Sequence, residues 1–252
     1  MEQQYRQLIK QEFMSCVSGT LDRVLNNEDT NRPFHARLLS YEALMWSRFE
    51  RSFSTSFGQR VIEEIAKLVA LSNGAEAASR QKETYISIDT AYDAAITTHI
   101  EQLRNNQIQN RDWNNALNSI LSVTPTGSTK EIRIISDLWW RKNGIDNYMS
   151  IKTVKPNIDQ TSVAKQDCLH LKIYDAKCNV YFGLPYNPFG EDRNSYAFNP
   201  PMNIFNFATD SVVLIGKDMW DTLGGEGCYE EILEIASEVG EITKKLISET
   251  LH

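Results

Sequence analysis

The run EIRIISDLWWRKNGIDNYMSIKTVKP, residues 131–156, limits the possible folds of this chain more than any other stretch. Two segments rich in Ile and aromatic residues, EIRIISDLWW and NYMSIKTVK, flank Lys142-Asn143-Gly144. Branched and aromatic side chains favour extended backbone, and Asn-Gly supplies the positive φ angles of a tight turn. The run therefore reads as two strands of a hairpin, the second stopped by Pro156. Residues i and i+2 of a strand share a face, so Ser150 and Lys152 project together, with Val154 unless the strand twists away. Asp137, near the end of the first strand, can lie beside them across the hairpin. An acid and an amine so placed meet part of what phosphodiester hydrolysis requires. Hard oxygen ligands hold Mg²⁺, and an ammonium positions water or offsets developing charge. An ordinary hairpin can carry the same pair, because Asp near a turn and Lys on an exposed strand face are common. Spacing alone leaves both readings open.

Around this hairpin the pattern is helical before and mixed after. QQYRQLIKQEFMSCVSGTLDRVL, FHARLLSYEALMWSRFERSFSTSFG and QRVIEEIAKLVALSNG carry apolar residues at helical spacing. Residues 75–130 are expected to add more helix, in DTAYDAAITTHIEQLRNN and WNNALNSILSV, before the turn TPTGST. Downstream, DQTSVAKQDCLHLKIYDA reads as helix, NVYFGLPY and SVVLIG as buried strands, and GCYEEILEIASEVGEITKKLISETL as an acidic amphipathic helix. The order implies an α/β core with a helical N-terminal layer. With no repeat or low-complexity linker, one domain over 1–252 is expected, with 1–129 mainly helical and the core in 130–252.

The net charge of −7 by itself argues against a nucleic-acid partner. Its distribution weakens that argument. Residues 130–177 hold nine Lys/Arg against six Asp/Glu, whereas 217–252 hold three Lys against nine Asp/Glu. No membrane span or secretory signal is visible, and Cys16, Cys168, Cys178 and Cys228 show no CxxC spacing. Reduced thiols in a cytoplasmic protein of a prokaryote are expected. His35, His99 and His170 lack zinc-site spacing, Gly224-Gly225 with Gly227 suits a helix-entry turn, and Trp139-Trp140 suits packing. Lys155 and Asn157, just past the second strand, and Asn187 and Arg193 in the loop PYNPFGEDRNSY, are candidates for reaching DNA.

The stretch MSIKTVKPNIDQTSVAKQDCLHLK, with YFGLPYNPFG and TDSVVLIGKDMWDTLGGEGCYEE downstream, resembles the TdeIII-type restriction endonucleases. Upstream, RFERSFSTSFGQRVIEEIAKLVA resembles the N-terminal signature helix of that family, so the likeness spans roughly residues 35 to 250. It implies a PD-(D/E)xK fold, with a mixed sheet flanked by helices. It also implies a homodimeric type II enzyme that uses Mg²⁺ to cut a short, near-palindromic duplex site, accompanied by a DNA methyltransferase. Carried over residue by residue, Asp137 matches the metal-binding aspartate and Lys152 the catalytic lysine. Ser150 stands where the motif has Asp or Glu. In some enzymes of this kind a serine holds that position and a helix supplies the acid. Asp167 in the following helix is one source here; Asp159 at its entry is another, though an N-cap role suits it better. Glu63 or Glu64 in the helix after Gly58 is the third, with Glu63 slightly favoured. The competing expectation, kept open by Ser150, is a catalytically silent DNA-binding or interaction protein.

Overall fold

The computed structural model describes residues 1–26 and 33–251. Helices α1 (Gln3–Asn26), α2 (Pro33–Leu38), α3 (Tyr41–Ser56) and α4 (Ile62–Ser72) come first, with a π-helical turn over Phe57–Val61 leading into α4. Strand β1 (Ala77–Asp89) follows, then α5 (Thr90–Arg104) and α6 (Trp113–Leu121). The expected hairpin is present as β2 (Thr129–Lys142) and β3 (Ile145–Ile151). Its turn has positive φ at both Asn143 and Gly144, as the Asn-Gly sequence demands. The chain continues through α7 (Ile158–Tyr174), β4 (Asn179–Leu184), α8 (Asn199–Met202), β5 (Val213–Ile215), α9 (Lys217–Gly224) and α10 (Cys228–Leu251).

The five strands lie in sequence order, β1-β2-β3-β4-β5. The first three are antiparallel and the last three parallel, so α7 is the crossover that returns the chain to the same end of the sheet. The expectation of a mixed sheet flanked by helices is met. One expectation fails: residues 77–89 are a strand, not helix. Its sequence, AASRQKETYISID, hides the strand because only its C-terminal part shows alternating apolar residues. Ile86 and Ile88 are buried there, and the rest is polar.

Two apolar layers cover the sheet. One gathers Ile86, Ile88 and Ile134 with Leu169, Phe182 and Phe205 on the side of α5 and α7. The other gathers Leu138, Trp140, Met149 and Ile151 with Ile65 of α4 and Ile235 of α10. Ile134 and Leu138 are four residues apart and would share a face in a regular strand, yet they enter different layers. The break in regularity sits at Gln81 of β1, which has φ +48° between the pairs Arg80↔Leu138 and Lys82↔Ser136. Its neighbour across the ladder is Asp137. The long β1–β2 ribbon thus passes from one layer to the other at the residue singled out as the metal ligand.

Two further features hold the frame. The acid-rich α10 packs on α1, where Arg6 pairs with Glu231, Glu234 and Glu238 and Lys10 pairs with Glu238. On α7, fully buried Lys165 donates to the carbonyls of Arg111 (2.7 Å) and Ile204 (2.8 Å) and lies over the Phe205 ring. Burial pushes this amine down to about 8. Two residues along a helix turn the side chain by about 200°, so anchoring Lys165 aims Asp167 at the opposite side. Gly225 and Gly227, both at positive φ, make the turn between α9 and α10, as expected.

Candidate active site

The hairpin register builds the centre of the site. Leu138 pairs with Met149, so the next residues along, Asp137 and Ser150, stand side by side. The carboxylate Oδ2 of Asp137 accepts from Lys152 Nζ (2.7 Å), the backbone N–H of Ile151 (2.8 Å) and Ser150 Oγ (3.3 Å). Three donors on one oxygen fix the rotamer of the acid and leave its Oδ1 facing β1. Lys152 lies just past the end of β3, and its own N–H continues the pairing to Gly183 O (3.0 Å). Val154 has left the strand altogether, because β3 ends at Ile151.

From β1, Gln81 Nε2 reaches Asp137 Oδ1 at 3.4 Å and both carboxylate oxygens of Glu63 at 3.0 Å. Arg80 Nε donates to the same Glu63 at 3.3 Å. Glu63 is 8% exposed although it lies in the first turn of α4, among Ile62, Ile65 and Ala66. Its neighbour Glu64 turns away to Lys67 and to Arg80 Nη1 (3.2 Å). Burial raises the Glu64 carboxyl, but its bonds to Lys67 and Arg80 outweigh this and leave it below the usual range. Of the two glutamates, Glu63 is the one brought to Asp137.

Asp167 of α7 lies near enough to Lys152 and Asp137 for their charges to act on it. Burial pushes its carboxyl up to about 7, a rise that Lys152 opposes and Asp137 reinforces. Asp159, by contrast, is exposed and pairs with Arg104 Nη2 at 2.6 Å, away from this centre. Among the described residues no three His, Cys, Asp or Glu side chains converge as a ready metal-binding group. A hard divalent cation fits the donor set in kind: Asp137 and Glu63 already share one donor, and half-buried Asp167 lies near Asp137.

The four residues named for DNA are placed unequally. Lys155 is exposed, with Nζ 5.3 Å from the Phe189 ring. Asn157 caps α7, its side chain accepting from Gln160 N at 2.8 Å. Asn187 Nδ2 donates to Asp192 O and Ser195 Oγ within its own loop. Arg193 donates to the carbonyls of Phe207 and Asp210 and faces Asp218. Trp140 is buried and stacked on Tyr181, consistent with packing. Sequence reasoning missed Arg80 and Gln81. Only the alternation of Thr84, Ile86 and Ile88 signalled a strand there, and nothing in SRQK marked its role.

A mixed five-stranded sheet with an Asp–Ser–Lys hairpin centre is the frame of a restriction-endonuclease-like protein. Comparison with known proteins gives the family: the model for "Type II restriction endonuclease, HinfI" matches residues 1–240. Type II restriction enzyme HgiCII of Herpetosiphon aurantiacus is 33% identical over 236 residues, covering 88% of this chain and 84% of that enzyme. HgiEI of the same organism is 32% identical over 256 residues, covering 96% and 90%. The chain belongs to the HinfI family of type II restriction endonucleases. It is therefore a site-specific deoxyribonuclease. The resemblance read from sequence pointed to TdeIII-type enzymes; what carries over from it is the broader class.

Proposed function

We propose that this chain is a cytoplasmic, Mg²⁺-dependent enzyme of PD-(D/E)xK type. It acts as one domain per subunit of a homodimer and cuts a short, near-palindromic duplex site. A methyltransferase of matching specificity protects the host. The observation that carries this reading is the convergence of Lys152, Ser150 and the Ile151 N–H on one oxygen of Asp137. Asp137, Glu63 and Asp167 would hold the metal. A divalent cation held there would supply Lewis acidity for the phosphate and for activation of the attacking water.

The rest is the work of the chain's own groups. Lys152 keeps its ammonium at the acid that borders the scissile phosphate, where it orients the attacking water and offsets developing charge. Ser150 is a donor to Asp137, not a substitute for the motif acid. The second carboxylate comes from helices: Glu63 through Gln81, and Asp167 from α7. Lys155 is the best placed of the DNA candidates for a phosphate contact, and Asn157 sets the start of α7. Asn187 and Arg193 act by holding their loop in shape for the duplex. Two-fold symmetry of a dimer matches that of a palindromic site, one strand per subunit.

The test is digestion of unmodified genomic DNA with Mg²⁺ by the native chain, Asp137→Ala and Lys152→Ala. Discrete fragments are expected from the native chain. Each variant should lose about 10²–10³-fold or more of the rate, the effect of removing one preorganised electrostatic group. No cutting by the native chain would favour the silent DNA-binding alternative. Cutting that survives both substitutions would relocate the site.

A further inference from the structure

With serine at position 150 and no three acids converging among the described residues, the cation is left with the Asp137 and Glu63 carboxylates as its immediate side-chain ligands. One more polar group reaches the same point. Gln81 places its amide within 3.0 Å of both Glu63 oxygens and 3.4 Å from Asp137 Oδ1. It does so from a strand interior at φ +48°, a conformation that costs a non-glycine residue free energy. A side chain that only filled space would not need it. A carboxamide has two faces with opposite chemistry: the N–H₂ donates to anions, and the carbonyl oxygen accepts or ligates cations. Turning the amide by half a turn exchanges them without moving the backbone.

We propose that Gln81 is a further ligand of the divalent cation. Its amide lies between Glu63 and Asp137, and a half-turn about its last bond would set Oε1 towards an ion held by those two acids. Hard divalent ions accept neutral amide oxygens beside carboxylates, so a Gln completes a shell that lost its motif acid. The Gln81 amide also bridges the two carboxylates and so fixes their relative placement.

The inference rests on the metal reading of Asp137 and Glu63, and its test separates the two. The probe is Tb³⁺, a hard oxygen-seeking ion, titrated into the full chain without DNA and detected through tryptophan-sensitised emission. Unfolding midpoints in EDTA check that each variant folds. Gln81→Gly removes the amide and accepts the positive φ freely; it should bind Tb³⁺ about tenfold more weakly. Gln81→Glu keeps the reach and adds charge. It should bind about tenfold more tightly, melt lower than wild type in EDTA, and recover when Tb³⁺ is added. Gln81→Gly binding as tightly as wild type, or more tightly, would overturn the proposal, since the amide would then be a strut or a plug. Equal binding by Gln81→Glu and wild type would overturn it too. Asp137→Ala binding Tb³⁺ as well as wild type would instead bring down the metal reading itself.

Discussion

On α10 each carboxylate of Glu231, Glu234 and Glu238 has a cation from α1 or from the N-terminal amine, at or near solvent. At the β1–β2 crossover Gln81 bridges Asp137 and Glu63, with Lys152 and Arg80 bound to these acids and half-buried Asp167 of α7 nearby. The two groups are the same chemistry under opposite rules. In water, charge pairs cost side-chain entropy and are screened, so they contribute little. Away from solvent a carboxylate without a partner is disfavoured, and Asp137 and Glu63 each keep a cationic donor, Lys152 and Arg80. Net acidity therefore says nothing about the site: much of the negative charge lies on a helix far from it in sequence and closed by its own ion pairs.

Substitutions can break or sharpen that contrast. The largest effect after those at Asp137 and Lys152 is expected from adjacent glutamates. Glu63→Ala should lower the cleavage rate by about 10²-fold, as loss of one metal-site group does, while Glu64→Ala cuts nearly as the native chain does. Single-turnover cleavage at saturating Mg²⁺ measures both; equal losses would show that burial and the Gln81 contact do not mark the ligand.

Asp167 gives a smaller effect with a definite sign. Its folded-state pKa, about 7, lies above the ordinary aspartate value of 3.8. Such a group favours the fold while protonated: its contribution is whole below about pH 4 and is lost as pH rises through 7. Metal-free native protein should therefore lose stability across that window relative to Asp167→Asn, which has no charge to bury. Unfolding midpoints of the two in EDTA, from pH 4 to 8, should diverge in that order. Parallel curves would place Asp167 in solvent.

The smallest effect belongs to α10. Glu238→Gln removes a carboxylate paired with Arg6 and Lys10, yet cleavage should be unchanged and the unfolding midpoint should barely move at physiological salt. A large drop would mean that the α1–α10 pairs are part of the frame of the site.

Much of this centre can be read without coordinates. Asn143-Gly144 demands a two-residue turn, the turn sets register, and register puts Asp137 beside Ser150, with Lys152 one pleat on. Helix α7 and its Asn157 cap are equally local. Strand β1 is not, because its first half is polar and draws its extended form from pairing with β2. The preference for Glu63 over Glu64 rested on a slight pattern; burial and the reach of Gln81 distinguish them. Asn187 and Arg193 looked like free groove-reaching side chains because sequence does not show that nearby carbonyls take up their donors.

By itself, then, the sequence determined the hairpin and its Asp–Ser–Lys centre, the crossover helix and the departure at Ser150. All of these are set by contacts between residues close in the chain. Tertiary structure decided which glutamate is brought to Asp137 and what bridges the two. Glu63, Gln81, Asp137 and Asp167 lie on four separate elements, and only folding of the sheet between two helical layers brings Glu63 and Gln81 to Asp137, with Asp167 nearby.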